Sequence, residues 1–161
     1  MNALTFRFAV PGDTPLILRF IRLLAEYEKM DDLVTATEEE LRRQLFEKKN
    51  AEVVFAVLNG KEIGFALFFH NFSTFLGKAG LYLEDLYVLE EYRGQGYGKA
   101  LFRELARVAV ERGCGRFEWW CLDWNRPSIE FYRSMGALPM DEWTVYRIDG
   151  ETLLALGDRT T

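Results

Sequence analysis

The chain has 161 residues, 49% of them hydrophobic and 28% charged, and its 20 Lys and Arg against 25 Asp and Glu give a net charge of -5. Domains usually run to about 100–200 residues, so we expect a single soluble domain over residues 1–161. An aromatic fraction of 15% argues against disorder. The acidic balance argues against binding of nucleic acid through a broad basic face, and it favours a small-molecule or cationic partner.

The sequence shows neither a secretory signal nor the roughly 18–20 consecutive apolar residues that a bilayer-spanning helix needs. We therefore expect a cytoplasmic protein that does not bind membranes. Cys114 and Cys121 form no Cys-x-x-Cys pattern and have no histidine near them in the sequence. Two reduced, buried thiols and no metal site are the expectation.

The first 45 or so residues predict a strand and two helices. Residues 5–10 alternate apolar and polar side chains, and a helix with its N-cap at Asp13 follows the turn at Pro11-Gly12. Thr37 and Glu40 have the spacing of a capping box at the start of a second helix.

The centre of the chain predicts an antiparallel hairpin. The apolar runs 53–58 and 63–69 are joined by Asn59-Gly60, a pair that favours tight turns because both residues tolerate positive φ. Residues 81–88 have the composition of a further strand.

The remaining segments complete a mixed sheet. A glycine-rich turn at 94–98 precedes an apolar helical stripe over 101–109, and we then expect a strand at 116–121, a short helix at 126–135 and a last strand at 144–149. This order predicts an α/β (α+β) fold with a central sheet flanked by helices.

Charge is distributed unevenly along the chain. From Glu26 to Glu40 there are seven acidic residues and one lysine, whereas from Arg93 to Arg112 there are five basic residues and two acidic ones. Two solvated faces would explain this pattern. The alternative is a site that receives a cation from one side and an anion from the other.

The glycine-rich turn lies between a predicted strand and a predicted helix, where backbone N–H groups bind phosphate well. A nucleotide P-loop is excluded because Arg93 stands where its first glycine is needed and Ala100 where its hydroxyl is needed. A dinucleotide fingerprint is excluded because Lys99 replaces the third glycine.

The segment Arg93-Gly94-Gln95-Gly96-Tyr97-Gly98 resembles the Arg/Gln-x-x-Gly-x-Gly/Ala signature of the GNAT acetyltransferases. Over residues 6–156 the chain is most similar to the spermidine/spermine, or diamine, acetyltransferase group, through segments such as 24–30, 81–88 and 124–128. The resemblance implies a mainly antiparallel GNAT sheet with helices on both faces, acetyl-CoA as co-substrate, and a homodimer.

The resemblance also assigns residues to roles. The expected coenzyme contacts are Leu86, Tyr87, Val88, Arg93, Gly94, Gln95, Gly96, Tyr97, Gly98, Lys99, Asn125 and Ser128. The expected acceptor contacts are Tyr27, Glu28, Glu84 and Asp85. For Tyr27 and Glu28, ordinary packing and exposure to water stay open as alternatives, and Asn125 and Ser128 also form a good helix start.

Acetylation of an amine needs removal of a proton, because an alkylammonium has a pKa of about 10.4. By resemblance Tyr132 is the general acid that protonates the leaving thiolate, and Glu84 attracts the ammonium and can accept its proton through water. A surface-exposed carboxylate without this role is the alternative for Glu84. On a regular strand Glu84 and Asp85 would face opposite ways.

Two features limit the choice of acceptor. Phe75 stands where the diamine acetyltransferase pattern has a tryptophan, and Trp119 and Trp120 are expected beside the acceptor channel. We therefore expect an N-acetyltransferase acting by direct attack on a small cationic amine, such as a diamine, a polyamine or a thialysine-like amine. A protein or peptide N-acetyltransferase and a non-catalytic acyl-CoA-binding regulatory module are the alternatives.

Overall fold

The computed structural model describes residues 3–159, which divide into one unit up to Trp120 and a second unit from Cys121. The first unit contains the whole sheet and three helices. The second unit contains two helices. No helix in the described part of the chain is long and apolar enough to cross a membrane.

Five strands form one sheet in chain order, with bounds β1 Leu4–Phe8, β2 Glu52–Leu58, β3 Lys61–Ser73, β4 Lys78–Val88 and β5 Phe117–Trp119. The first four strands are antiparallel neighbours, and β5 runs parallel to β4. The predicted hairpin is confirmed, since Asn59 and Gly60 join β2 to β3 with φ of 51° and 79°. The mixed, mainly antiparallel sheet is confirmed as well.

The helices of the first unit are α1 Thr14–Tyr27, the short α2 Glu38–Arg42, which continues as a π-helical turn over Arg43–Glu47, and α3 Tyr97–Glu111. A 3-10 turn at Glu90–Tyr92 follows β4.

The sheet is covered on both faces, as expected. On one face Ile17, Phe20 and Leu24 of α1 pack in a single core cluster with the inward residues Phe65 and Leu67 of β3. On the other face the α3 side chain Phe102 lies against Phe117 and Trp119 of β5, with ring centroids 4.8 and 5.0 Å apart. A strand such as β3 can contribute to both faces because successive side chains point to opposite faces.

The two predicted helix caps are only partly formed. Thr37 does accept a hydrogen bond from the Glu40 N–H at 3.2 Å, but the Glu40 carboxylate accepts from Arg43. Asp13 makes no side-chain bond to α1. Its carboxylate instead accepts two bonds from Arg7, at 2.8 and 2.9 Å, and these lower the pKa of Asp13.

The second unit differs from the prediction. Its helices are α4 Arg126–Ser134, as expected, and α5 Gly150–Gly157, which was not predicted. The predicted strand at 144–149 is wrong, because these residues have no regular secondary structure and belong to no sheet. Alternating side chains favour a strand, yet a strand also needs a neighbour to pair with. The two thiols are free but only partly buried, which corrects the expectation of buried cysteines.

Candidate active site

A β-bulge in β4 shapes the centre of the site. Leu67 of β3 pairs with Asp85 while the next residue, Phe68, pairs with Leu83, so Glu84 is an extra residue without a cross-strand partner. The bulge places Asp85 on the same sheet face as Leu67 and therefore on the α1 side. The simple alternation predicted for residues 84 and 85 is thus interrupted at Glu84, which is exposed.

Two neighbouring carboxylates influence Asp85 at this place. Burial, together with the negative charges of Glu84 and Glu28, raises the pKa of Asp85 to about 7. Glu28 directly follows the last residue of α1, and partial burial also raises the pKa of its carboxyl. The structure therefore brings together three of the predicted acceptor residues, and we call Glu28, Glu84 and Asp85 the acidic cluster.

The backbone of β4 is open beside the acidic cluster. β4 pairs with β5 only at Leu81, Tyr82 and Leu83. In the described part of the chain, the edge of β4 from Glu84 to Val88 has no strand beside it on that side. Such an edge presents backbone N–H and C=O groups that a ligand with amide groups can bind. The predicted coenzyme residues Leu86, Tyr87 and Val88 lie on this edge.

The glycine turn has the geometry of an anion site. Gly94 and Gly96 adopt left-handed φ of 72° and 86°, and a Cβ at either position would point into open space. α3 starts directly after Gly96, and its first backbone bond runs from the Ala100 N–H to the Gly96 C=O at 3.0 Å. The N–H groups before Ala100 thus lie at the positive end of a 15-residue helix. This geometry fits the pyrophosphate of a coenzyme.

The last glycine of the motif differs from the other two. Gly98 lies inside α3, and a Cβ there would meet only Val88 Cγ2 at 3.8 Å, an ordinary contact. The backbone freedom expected of three glycines is therefore needed at two of them.

Arg93, a predicted coenzyme contact, packs between two tyrosines. Its guanidinium carbon lies 5.0 Å from the Tyr27 ring centroid and 4.9 Å from that of Tyr87. Its Nε donates to the Val88 C=O at 2.9 Å. The first residue of the glycine turn is therefore connected to the end of α1 as well as to β4.

Two of the five basic residues in segment 93–112 lie toward the C-terminal end of α3 and are paired with carboxylates. Arg107 is paired with Glu104 and Glu111, and Arg112 with Glu52. Lys99 is exposed on the first turn of α3.

Two further coenzyme candidates lie at the turn. The Gln95 side chain donates to the Glu91 C=O at 3.2 Å, and the Tyr97 ring lies edge-on to Tyr92.

The expected aromatic channel is only partly formed. Trp119 lies on the α3 face, against Phe102, and therefore on the sheet face away from Asp85. Trp120 packs edge-on against Tyr82, which shares the face of Asp85. Burial and the charge of Glu84 raise the pKa of Tyr82. Phe75 is fully exposed in the turn between β3 and β4.

The second unit holds the other predicted residues on α4. Asn125 is buried and caps this helix, accepting a bond from the Ser128 N–H at 3.4 Å. The helix-start interpretation of these two residues is thereby confirmed. Tyr132 lies on the same helix and is partly buried, with its ring next to that of Phe131.

Sequence reasoning missed two features of the site. The burial of Asp85 depends on the bulge, for which the sequence carries no glycine or proline signal. The contact of Arg93 with Tyr27 joins residues far apart in the chain. The family motif indicates Arg93 itself but not its contact with Tyr27.

A bulged strand with an open edge, followed by a glycine turn at a helix start, is an arrangement that suits an acetyltransferase. A family model described as the acetyltransferase (GNAT) family matches residues 18–137. The chain belongs to this family and is an acetyltransferase, as the sequence motifs indicated.

The chain is also similar to characterised relatives over its full length. Thialysine N-epsilon-acetyltransferase of Sus scrofa is 37% identical, with 99% of this chain and 100% of the relative covered. An L-ornithine N5-acetyltransferase of Arabidopsis thaliana is 33% identical, with 93% and 86% covered. Among solved structures, an integron cassette protein from the V. cholerae mobile metagenome has a TM-score of 0.79 and 30% identity, with 95% and 96% covered.

Proposed function

We propose that this acetyltransferase uses acetyl-CoA and transfers the acetyl group by direct attack of the primary amine of a small cationic acceptor. The observation that carries this proposal is the acidic cluster beside the open edge of β4. An ammonium group is attracted by carboxylates, and a coenzyme bound along the edge would end near the same bulge. The glycine turn supplies the binding site for the coenzyme phosphates.

Asp85 is the proton acceptor in this proposal. A general base works best when its pKa lies near the working pH, and the pKa of Asp85 is about 7. Glu84 is exposed and attracts the incoming cation, so we assign deprotonation of the amine to Asp85 rather than to Glu84. Asp85 takes the proton, the amine nitrogen bonds to the acetyl carbon, and the carbon–sulfur bond breaks.

The departing thiolate then needs a proton. We assign this proton to the Tyr132 hydroxyl on the basis of the Phe-Tyr-x-x-x-Gly motif. A neutral phenol is the form that a general acid requires.

The relatives narrow the class of acceptor. Thialysine and ornithine are amino acids that carry a second amine at the end of the side chain, and the named relatives acetylate that terminal amine. An acceptor molecule with two ammonium groups also suits three carboxylates better than an acceptor with one ammonium group does. We therefore propose thialysine-like amino acids and short diamines as acceptors, with longer polyamines as candidates.

Release of coenzyme thiol from acetyl-CoA, measured with a panel of amines, tests the function. The panel contains thialysine, ornithine, lysine, diaminopropane, spermidine and a lysine-containing peptide. We expect turnover with thialysine, ornithine or the diamine. Turnover with the peptide alone would support a peptide acetyltransferase, and acetyl-CoA binding without turnover would support a binding module; either result refutes the proposal.

Asp85→Asn tests the assignment of the base. We expect kcat/KM to fall by roughly 10²–10⁴-fold, the usual contribution of general base catalysis. Glu90→Gln is the matched control, because Glu90 is an exposed carboxylate just after the same strand. Equal activity of the two variants would contradict the role of Asp85.

We also propose that the chain is a single acetyltransferase domain that forms a cytoplasmic homodimer. Exposed apolar side chains support the dimer, since Trp143 and Tyr146 in the loop between α4 and α5 are 77% and 92% exposed. Light scattering at low micromolar concentration should give the mass of a dimer. A monomer alone would refute this part.

A further inference from the structure

Arg93 makes three contacts with two elements of the first unit, one with α1 and two with β4. Its guanidinium carbon lies 5.0 Å from the Tyr27 ring and 4.9 Å from the Tyr87 ring, and its Nε donates to the Val88 C=O at 2.9 Å. The residue itself begins the glycine turn. A residue that begins the turn therefore contacts the end of α1 and the end of β4 through its side chain.

The two tyrosines are held to different degrees. Tyr87 is 9% exposed and belongs to the core cluster, whereas Tyr27 is 38% exposed at the last position of α1. Tyr87 is therefore fixed by packing, and the Tyr27 ring gains orientation from the guanidinium stacked on it. Glu28, a member of the acidic cluster, is the next residue along the chain.

We infer that Arg93 is a positioning residue through which binding of the coenzyme at the glycine turn strengthens binding of the amine at the acidic cluster. This inference rests on the proposed function. A coenzyme that fixes the backbone of the turn also fixes the position of Arg93, and Arg93 then holds Tyr27 and the end of α1. Such coupling is reciprocal, so the amine strengthens coenzyme binding by the same factor.

Calorimetry with CoA and thialysine measures this coupling without turnover. The affinity for thialysine is determined without CoA and with saturating CoA, and the ratio of the two affinities is the coupling factor. Typical coupling factors are about 5–150-fold, and we expect the unmodified protein to fall in this range.

Two pairs of variants isolate the contact. Arg93→Lys keeps the charge but loses the planar group that stacks on both rings, and we expect its coupling factor to fall to about 1–2. Tyr27→Leu removes the ring and should give the same loss, whereas Tyr27→Phe keeps the ring and should keep the coupling. Lys99→Met should weaken CoA binding but leave the factor unchanged, because Lys99 lies at the turn without touching either tyrosine.

The outcomes separate the inference from the proposed function. Binding of both ligands with a factor near 1 in the unmodified protein would overturn the inference alone, and so would full coupling in both Arg93→Lys and Tyr27→Leu. Absence of CoA binding, or of amine binding under all conditions, would overturn the proposed function and the inference with it. If Arg93→Lys does not fold, Arg93→Gln and the Tyr27 pair decide the question.

Discussion

The raised pKa of Asp85 makes the stability of the protein depend on pH in a predictable way. The carboxyl has a pKa of about 7 in the folded protein and an ordinary value of 3.8. Between these two values the unfolded chain loses the proton while the folded chain keeps it. Stability from this group is therefore complete below pH 3.8 and is lost as the pH rises to 7. The loss is about 1.4 kcal/mol per pH unit and about 4 kcal/mol in total.

Asp85→Asn removes this dependence, because the amide does not titrate. We expect the variant to gain stability relative to the unmodified protein by about 1.4 kcal/mol for each pH unit between pH 4 and pH 7. Urea unfolding of both proteins without ligands, at half-unit intervals of pH, gives the difference directly. Every other titrating group is common to the two proteins, so most of its contribution cancels.

The control for this experiment is Glu90→Gln, which removes an exposed carboxylate just after the same strand. A pH-independent difference between Asp85→Asn and the unmodified protein would refute the burial argument. Carbon NMR of the Asp85 carboxyl should independently show a titration near neutral pH, and a midpoint below pH 5 would contradict the same reasoning.

Three further predictions concern other parts of the chain. Tyr132→Phe should lower turnover by roughly 10²–10⁴-fold in the thiol-release assay while leaving acetyl-CoA affinity unchanged, and near-normal turnover would remove the general-acid role. Gly80→Ala should lower the free energy of unfolding by about 1–3 kcal/mol, because the new Cβ would lie 2.2 Å from Asn71 Oδ1. In thermal unfolding, the double variant with Asn71→Ala should regain the stability that Gly80→Ala loses. An equal loss in the double variant would contradict the clash with Asn71. Gly96→Ala should cost about 1–2 kcal/mol in the same measurement because its φ is 86°, whereas Gly98→Ala should not destabilise the fold.

Local signals in the sequence predicted the elements that depend on local chemistry. Asn59-Gly60 forms the expected hairpin because the turn requires positive φ at both residues. The helix after the glycine turn spans Tyr97–Glu111, since its apolar stripe has a face of the sheet to cover. The family motif likewise led to the correct class of enzyme.

Features that depend on pairing between distant residues could not be predicted. Residues 144–149 alternate like a strand but have no neighbouring strand in the described part of the chain. The sequence alone does not show which sheet face Trp119 occupies, and its pairing with Leu83 turns its side chain toward α3. The burial of Asp85 follows from a one-residue shift in the pairing of β3 with β4, which no local sequence pattern predicts.

Because of the bulge, substitutions at Glu84 and at Asp85 have different consequences for the fold. Asp85 lies in a ladder pair with Leu67, so a replacement there also changes the packing under α1. Glu84 is exposed and has no cross-strand partner, so its side chain can change in length or charge without disturbing a neighbour on β3. Under the proposed function, substitution of Glu84 should therefore alter the preferred amine while the sheet keeps its register.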